Sequence, residues 1–215
     1  LPCTREKQSH RTRHPDTTWG VPACVAKPVT KKQYKNNQDA LNAMSSEWKR
    51  LWSKKVFRAL TPDDVHEWST IARQAREEKR EVHMGIVFGI MVEKNAELDK
   101  SDKRRKFKYR VVFQGNRVIN QDWEAAIYSD GSAKPVTQES AKISDWYACL
   151  HGHAQQQADA EQAYIQADMR GCETWVSLPD WEECPEAFPP WWGKVVSKMR
   201  RPVVRMDKAL YGHPK

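Results

Sequence analysis

The sequence predicts an α+β domain behind a basic N-terminal arm. Three observations carry this expectation: the apolar residues recur every three or four positions between Gln38 and Glu81, they alternate between Val82 and Phe113, and residues 1–37 have almost no apolar period. The chain has 215 residues, 39% hydrophobic and 30% charged, enough for one domain of ordinary size or two lobes on a shared core. Mean hydropathy is −0.85. No apolar run reaches the ~18 residues of a membrane-spanning helix, and the start is basic rather than apolar, so neither a membrane span nor a secretory signal is expected. Cys3, Cys24, Cys149, Cys172 and Cys184 are an odd set without short repeating spacing. They read as reduced thiols of a soluble protein in cytoplasm or nucleus. The chain opens with Leu1 and stops at Lys215 inside a motif, which reads as a piece of a longer open reading frame.

The net charge of +8 is unevenly placed. Residues 1–60 hold 13 Lys/Arg against 4 Asp/Glu, residues 61–130 hold 13 against 13, and residues 131–215 hold 10 against 11. A basic arm attracts polyanions by counterion release without choosing a sequence, and a solvated linker has the same composition. With Pro2, Pro15, Pro22, Pro28 and the run Lys31-Lys32-Gln33-Tyr34-Lys35, residues 1–37 read as a disordered or extended linker. Cys3, His10, His14 and Cys24 can be drawn as a zinc site. No Cys-x-x-Cys anchors them, and ordinary fingers place both cysteines before both histidines, so metal is not expected there.

From Gln38 to Trp52, the residues Leu41, Met44, Trp48, Leu51 and Trp52 define one face of an amphipathic helix. A second helix is expected from Thr61, with Pro62 at its first position, Asp64 three residues after the cap, and Val65, Trp68, Ile71, Ala72 and Ala75 on one side as far as Glu81. Trp48, Trp52 and Trp68 sit at helical spacing and read as core rather than as platforms for stacked bases. Val82, Met84, Ile86, Phe88, Ile90 and Val92 then alternate with His83, Gly85, Val87, Gly89 and Met91, a strand pattern. After a charged connection, Phe107, Tyr109, Val111 and Phe113 share one face of a second strand, and Lys106, Lys108, Arg110 and Gln114 share the other. This is a hairpin with a ladder of three cations. Either the ladder holds an anion such as phosphate, or it is a charged face that keeps an edge soluble. Thr137 caps a third helix through Ala141, Ile143, Trp146, Tyr147 and Leu150, ended by Gly152. A short strand running into a turn or helix is expected over Gln155–Tyr164, and another strand over Thr174–Leu178. Residues 180–193 read as an irregular Trp- and Pro-rich excursion before a basic segment at 200–206.

Three separated segments, in order, resemble the reverse transcriptase of copia-type retrotransposons. Lys106-Phe107-Lys108-Tyr109-Arg110-Val111-Val112-Phe113-Gln114-Gly115 is similar to the family's basic strand K-x-R-L-V-A-R-G. Gln157-Ala158-Asp159-Ala160-Glu161-Gln162-Ala163-Tyr164 is similar to Q-x-D-V-x-x-A-F, with Trp175-Val176-Ser177-Leu178-Pro179 where the family has Y-M-x-Q-P. Arg205-Met206-Asp207-Lys208-Ala209-Leu210-Tyr211-Gly212 is similar to K-L-x-K-x-L-Y-G, and Ala40 to Trp52 resembles the domain's opening helix. The resemblance spans residues 38–215. It implies the fingers (38–130) and a partial palm (131–215) of a right-hand polymerase, an RNA-directed DNA polymerase working by two-metal nucleotidyl transfer. Two Mg2+ ions about 4 Å apart would neutralise the phosphoryl charge. Asp159 would be the catalytic metal ligand, helped by the backbone carbonyl of Ala160. Lys108 and Arg110 would reach the triphosphate, and Tyr164 would lie under the sugar and exclude a 2′-hydroxyl. The partners implied are an RNA template, a DNA primer, deoxynucleoside triphosphates and the other parts of a Pol polyprotein.

The departures bear on activity. No aromatic residue followed by two aspartates occurs after the Leu210-Tyr211-Gly212 segment, so the second metal-binding motif is missing from these residues. Asp63-Asp64, the adjacent aspartates of the chain, precede Asp159 at an expected helix start and cannot substitute. Ala160 and Glu161 stand where the family has an aliphatic and a basic residue, and His213-Pro214 replaces the usual Leu-Lys. The expectation is a polymerase fragment inactive alone. The alternatives are a non-catalytic basic nucleic-acid-binding module and a degenerate retroelement remnant.

Overall fold

The computed structural model describes residues 25–126, 136–156, 158 and 163–213. Among them are eight strands: β1 (Ala26–Pro28), β2 (Phe57–Arg58), β3 (His66–Glu67), β4 (Val82–Lys94), β5 (Lys106–Phe113), β6 (Ile119–Asn120), β7 (Glu173–Ser177) and β8 (Pro202–Met206). Six helical segments accompany them: α1 (Lys31–Tyr34), α2 (Gln38–Ser53), α3 (Trp68–Glu77), α4 (Gln138–Ala148), α5 (Ala163–Gln166) and α6 (Trp192–Val196). The class is mixed α+β, as expected. The strands form one mixed sheet whose main path runs β1-β4-β7-β8-β2, with β5 and β6 also on β4 and β3 on β8.

The sheet is organised by β4. Antiparallel β5 pairs with it from Val87↔Phe113 to Lys94↔Lys106, while β1 pairs with the same end through Pro28↔Val92, so β1 and β5 lie on opposite edges. At the other end, β7 runs parallel to β4 with Gly85 opposite Val176, and β6 takes the opposite edge at His83 and Met84. Successive residues of a strand point to opposite faces. Accordingly Val176 and Val204 join Val87, Met91, Tyr109, Val111 and Phe113 in one core, while Trp175 and Val203 join Val82 in another.

The first core lies under α2. Asn37 caps this helix by accepting the Ala40 N–H, and Ala40, Met44, Trp48 and Leu51 are buried along one side. The helix ends where Lys55 turns left-handed (φ 55°) and the Val56 N–H reaches back to the Leu51 carbonyl. The Trp-rich excursion closes this core from above: Phe188 lies 4.9 Å from Trp48 and Trp192 lies 5.7 Å from Trp52, ring centre to ring centre. The second core lies under α3, where Trp68, Ile71, Ala72 and Ala75 cover Val82, Trp175 and Val203. Trp48 and Trp68 are thus core, as the helical spacing indicates, and Trp52 packs at its margin.

Two expectations are corrected. The helix expected from Thr61 starts at Trp68. The capping box does form, with the Leu60 and Thr61 N–H groups donating to Asp64 Oδ2, but it closes only a single 3-10 turn over Pro62–Asp64. His66 and Glu67 then pair with β8, and the Glu67 carboxylate accepts the backbone N–H groups of Arg200 and Arg201. Sheet pairing across about 130 residues of chain overrides a local signal. The linker expected through Asn37 is shorter, because residues 25–37 hold β1 and α1 and bury Tyr34; residues 1–24 lie outside the described residues. Within the basic segment at 200–206, Pro202–Met206 form strand β8. The helix capped by Thr137 is present as α4, with Ile143, Trp146 and Tyr147 exposed. Of the short strand expected from Gln155, Gln155, Gln156 and Ala158 are described and belong to no strand, and residues 157 and 159–162 lie outside the described residues before α5 begins at Ala163.

Gly85 and Gly89 face the first core beneath the rings of Phe113 and Tyr109. A Cβ on Gly89 would lie 1.6 Å from Tyr109 Oη, and one on Gly85 2.2 Å from Phe113 Cζ. Both rings are buried and have no room to swing away. Gly89→Ala is therefore expected to lower stability by roughly 1–3 kcal/mol, the usual cost of overpacking, read as a fall in the urea midpoint at unchanged m. An unchanged midpoint would show that the aromatic cover of β4 is not close-packed.

Candidate functional site

Strand register builds the cation ladder. Lys106 lies opposite Lys94, Lys108 opposite Val92, Arg110 opposite Ile90 and Val112 opposite Phe88. All of these point away from the face that carries Tyr109, Val111 and Phe113. The three expected cations thus become four with Lys94, set beside the exposed apolar side chains Ile86, Phe88 and Ile90. Like charges at this spacing repel. Lys108 registers the effect: burial first, then Arg110, Lys94 and Arg50, hold its pKa below the ordinary lysine value.

One carboxylate partly offsets this field. Glu47 on α2 is buried, pairs with Arg50 and accepts a hydrogen bond from the Val111 backbone on the outer edge of β5. Burial raises its pKa above the usual carboxylate value against the lowering influence of Arg50.

The outer edge of β5 receives a second segment near its end. The Phe113 N–H donates to the Tyr211 carbonyl at 2.7 Å. Gly212 makes the turn possible: its φ is +85°, and a Cβ there would lie 2.3 Å from the Phe113 carbonyl oxygen. The turn lays the Tyr211 ring under Arg110, whose guanidinium carbon is 5.5 Å from the ring centre. The Tyr164 ring, carried by α5, is 4.4 Å from that of Tyr211 and tilted to it by 49°. Arg110, Tyr211 and Tyr164 form one contact series drawn from three segments.

Beside this series is a groove of about 710 Å3, walled by Tyr164, Asp168, Arg170, Leu210 and His213 among others. Residues 167–169 are tied to 207–209 by the Met169 N–H to Asp207 carbonyl and Ala209 N–H to Ala167 carbonyl bonds. Asp168 accepts a hydrogen bond from Lys208 Nζ at 2.8 Å, which lowers its pKa, and Asp207 pairs with Arg58 at 3.0 Å. Both carboxylates already have cationic partners. Among the described residues, no group of three candidate ligands consists of carboxylates alone.

Of the residues expected to touch substrate, Arg110 and Tyr164 are therefore brought together, and Lys108 lies two positions along the same strand face. Asp159 and Ala160, expected to hold the metal, lie outside the described residues. Tyr211, which links Arg110 and Tyr164, is not singled out by spacing, although it lies within the Leu210-Tyr211-Gly212 segment. His213 takes a role that its departure from leucine conceals. Its ring lies 4.6 Å from that of Phe113, and burial, then the nearby His83, push its pKa from 6.5 to about 4. It is a neutral, largely apolar wall at pH 7. No helix among the described residues is long and apolar enough to cross a membrane.

A histidine whose folded pKa is depressed binds fewer protons than the unfolded chain between the two values. Stability present above pH 6.5 is therefore lost as pH falls toward about 4. Urea unfolding of the native chain and His213→Leu at pH 7 and pH 5 checks this. The native chain should lose more stability than the variant between the two pH values; equal losses would show that His213 titrates as in water.

The chain matches no protein-family model, no curated protein and no solved structure.

Proposed function

We propose that these residues are the fingers and first part of the palm of an RNA-directed DNA polymerase from a copia-type retrotransposon Pol polyprotein, with the groove beside Arg110, Tyr211 and Tyr164 taking the incoming deoxynucleoside triphosphate. The observation that carries this reading is the contact series itself: a cation ladder ends at Arg110 on Tyr211, and Tyr211 touches Tyr164, which lines a groove. A triphosphate supplies the negative charge that Lys94, Lys106, Lys108 and Arg110 lack. Phosphoryl transfer needs little covalent help from protein, and its catalysis is mostly positioning and neutralisation. Lys108 and Arg110 orient the phosphates, and Tyr164 occupies the space a 2′-hydroxyl would need. The exposed Ile86, Phe88 and Ile90 offer apolar area to the bases of an RNA template paired with a DNA primer.

Magnesium in this reading rests on Asp159 and the Ala160 carbonyl, by resemblance alone. The ion pairs of Asp168 and Asp207 support a second reading for this length of chain, a basic nucleic-acid-binding module without chemistry.

Three outcomes test the proposal. Lys108→Ala with Arg110→Ala should weaken nucleic-acid binding and reduce its salt slope by roughly one to two counterions. The pair Lys103→Ala with Arg104→Ala removes equal charge from the preceding connection, and an equal loss there would show only bulk charge at work. Tyr164→Ala should lower the chain's preference for deoxy- over ribonucleoside triphosphate, followed by tryptophan fluorescence; an unchanged ratio makes Tyr164 a packing residue. The 215-residue polypeptide itself should bind but not extend a primer. Template-dependent incorporation abolished by Asp159→Asn would mean that other carboxylates complete the metal site.

A further inference from the structure

The parallel pairing of β4 and β7 brings together three side chains that lie on neither wall of the groove. Glu81 immediately precedes β4, His83 lies within it, and Cys172 immediately precedes β7, where Val82 is opposite Glu173 and His83 opposite Thr174. Their ligand atoms all lie within 4.8 Å of one another. His83 Nε2 is 2.9 Å from Glu81 Oε1, and Cys172 Sγ is 3.2 Å from the Glu81 carbonyl oxygen. The backbone under the thiol is held in turn, because Thr174 Oγ1 donates to the Cys172 carbonyl at 3.2 Å.

We propose that Glu81, His83 and Cys172 bind one zinc ion. In a tetrahedral zinc site with bonds of ~2.0–2.3 Å the ligand atoms stand roughly 3.5 Å apart, so the Glu81–His83 pair at 2.9 Å opens slightly and the wider separations close by little more than about 1 Å. One imidazole, one thiolate and one carboxylate form a mixed N/S/O set that suits zinc and excludes magnesium and calcium, which take oxygen alone. The burial is graded: the His83 side chain is 5% exposed and that of Glu81 59%. The imidazole forms the back of the site and the carboxylate its mouth, leaving the fourth position to water. On binding, the thiol gives its proton to solvent, and the Glu81–His83 hydrogen bond is replaced by a bond from each to the metal. Histidine and glutamate alone would make an ordinary ion pair. The thiol, 89 residues further along the chain, turns the pair into a three-point set and ties β4 to β7 at their parallel start. No sequence motif announces it, because only the strand register brings Cys172 to the Glu-x-His dipeptide step. The site is independent of the polymerase reading.

Cobalt titration of the metal-free 215-residue chain tests the site. One Co2+ per chain should bind with a thiolate-to-cobalt band in the near ultraviolet and be displaced by Zn2+. Cys172→Ser should abolish the band and weaken binding by more than ~100-fold, beyond the ~10–100-fold cost of losing a supporting contact. A band that survives in Cys172→Ser and vanishes in Cys3→Ser with Cys24→Ser would overturn the assignment in favour of the arm. Binding without any thiolate band would reduce the cluster to an ion pair beside an inert thiol. Alkylation of the unaltered chain, read by peptide mass spectrometry, gives an answer that no variant can confound. Zn2+ should slow labelling of Cys172 and leave that of exposed Cys149 unchanged; equal labelling of Cys172 with and without Zn2+ contradicts the site.

Discussion

Four of the other seven strands pair with β4, and the remaining three join the sheet through β8. The thirteen residues of β4 hold β5, β6, β1 and β7, and the close approach of aromatic rings at Gly85 and Gly89 sets how those strands sit. Gly in a strand interior ordinarily weakens it by loss of packing and by conformational entropy. Here the missing side chains are replaced by Phe113 and Tyr109 from the neighbouring strand, laid over the bare backbone. That cover seals the first core and forces Lys106, Lys108 and Arg110 to the opposite face. The position of the cations follows from where the aromatic rings must go.

The electrostatics of that opposite face follow from the same register. Four cations share the open side of two strands, and Glu47, a carboxylate whose charge acts on Lys108, is itself buried and already paired with Arg50. A surface of this kind is tolerated where an anion visits it, because bound phosphate converts repulsion into charge-assisted hydrogen bonding. Arg110 resting on Tyr211, and Tyr211 on Tyr164, extend the charged strip into a groove with an aromatic wall. The Gly212 turn makes this junction possible by allowing the chain after β8 to reach the edge of β5.

Much of this is legible in the sequence. The change of apolar period at Val82 marks the helix-to-strand boundary, since periods of 3.6 and 2 report which backbone buries one face. The hairpin, its cation ladder, α2 and the burial of Trp48 and Trp68 follow from spacing alone. What is not legible depends on partners remote in sequence. Thr61 and Pro62 carry a sound helix-start signal, yet β8 claims His66 and Glu67. Ala26–Pro28 looks like linker because a three-residue strand has no period, and only the edge of β4 gives it order. Alternation could not decide which face of β4 is inward, because Ile86, Phe88 and Ile90 are as apolar as any core and remain exposed. Tyr211 becomes a site residue only through a turn that brings it to a strand about 100 residues earlier.

The central claim is that the hairpin, α5 and the Tyr211 turn enclose one triphosphate. Amide hydrogen exchange of the 215-residue chain, with and without a deoxynucleoside triphosphate, addresses all three segments at once. Added protection in β5, in residues 163–170 and in residues 209–213 together, at the same ligand concentration, is the predicted result. Protection confined to the basic residues before Val25, with those three segments unchanged, would contradict it.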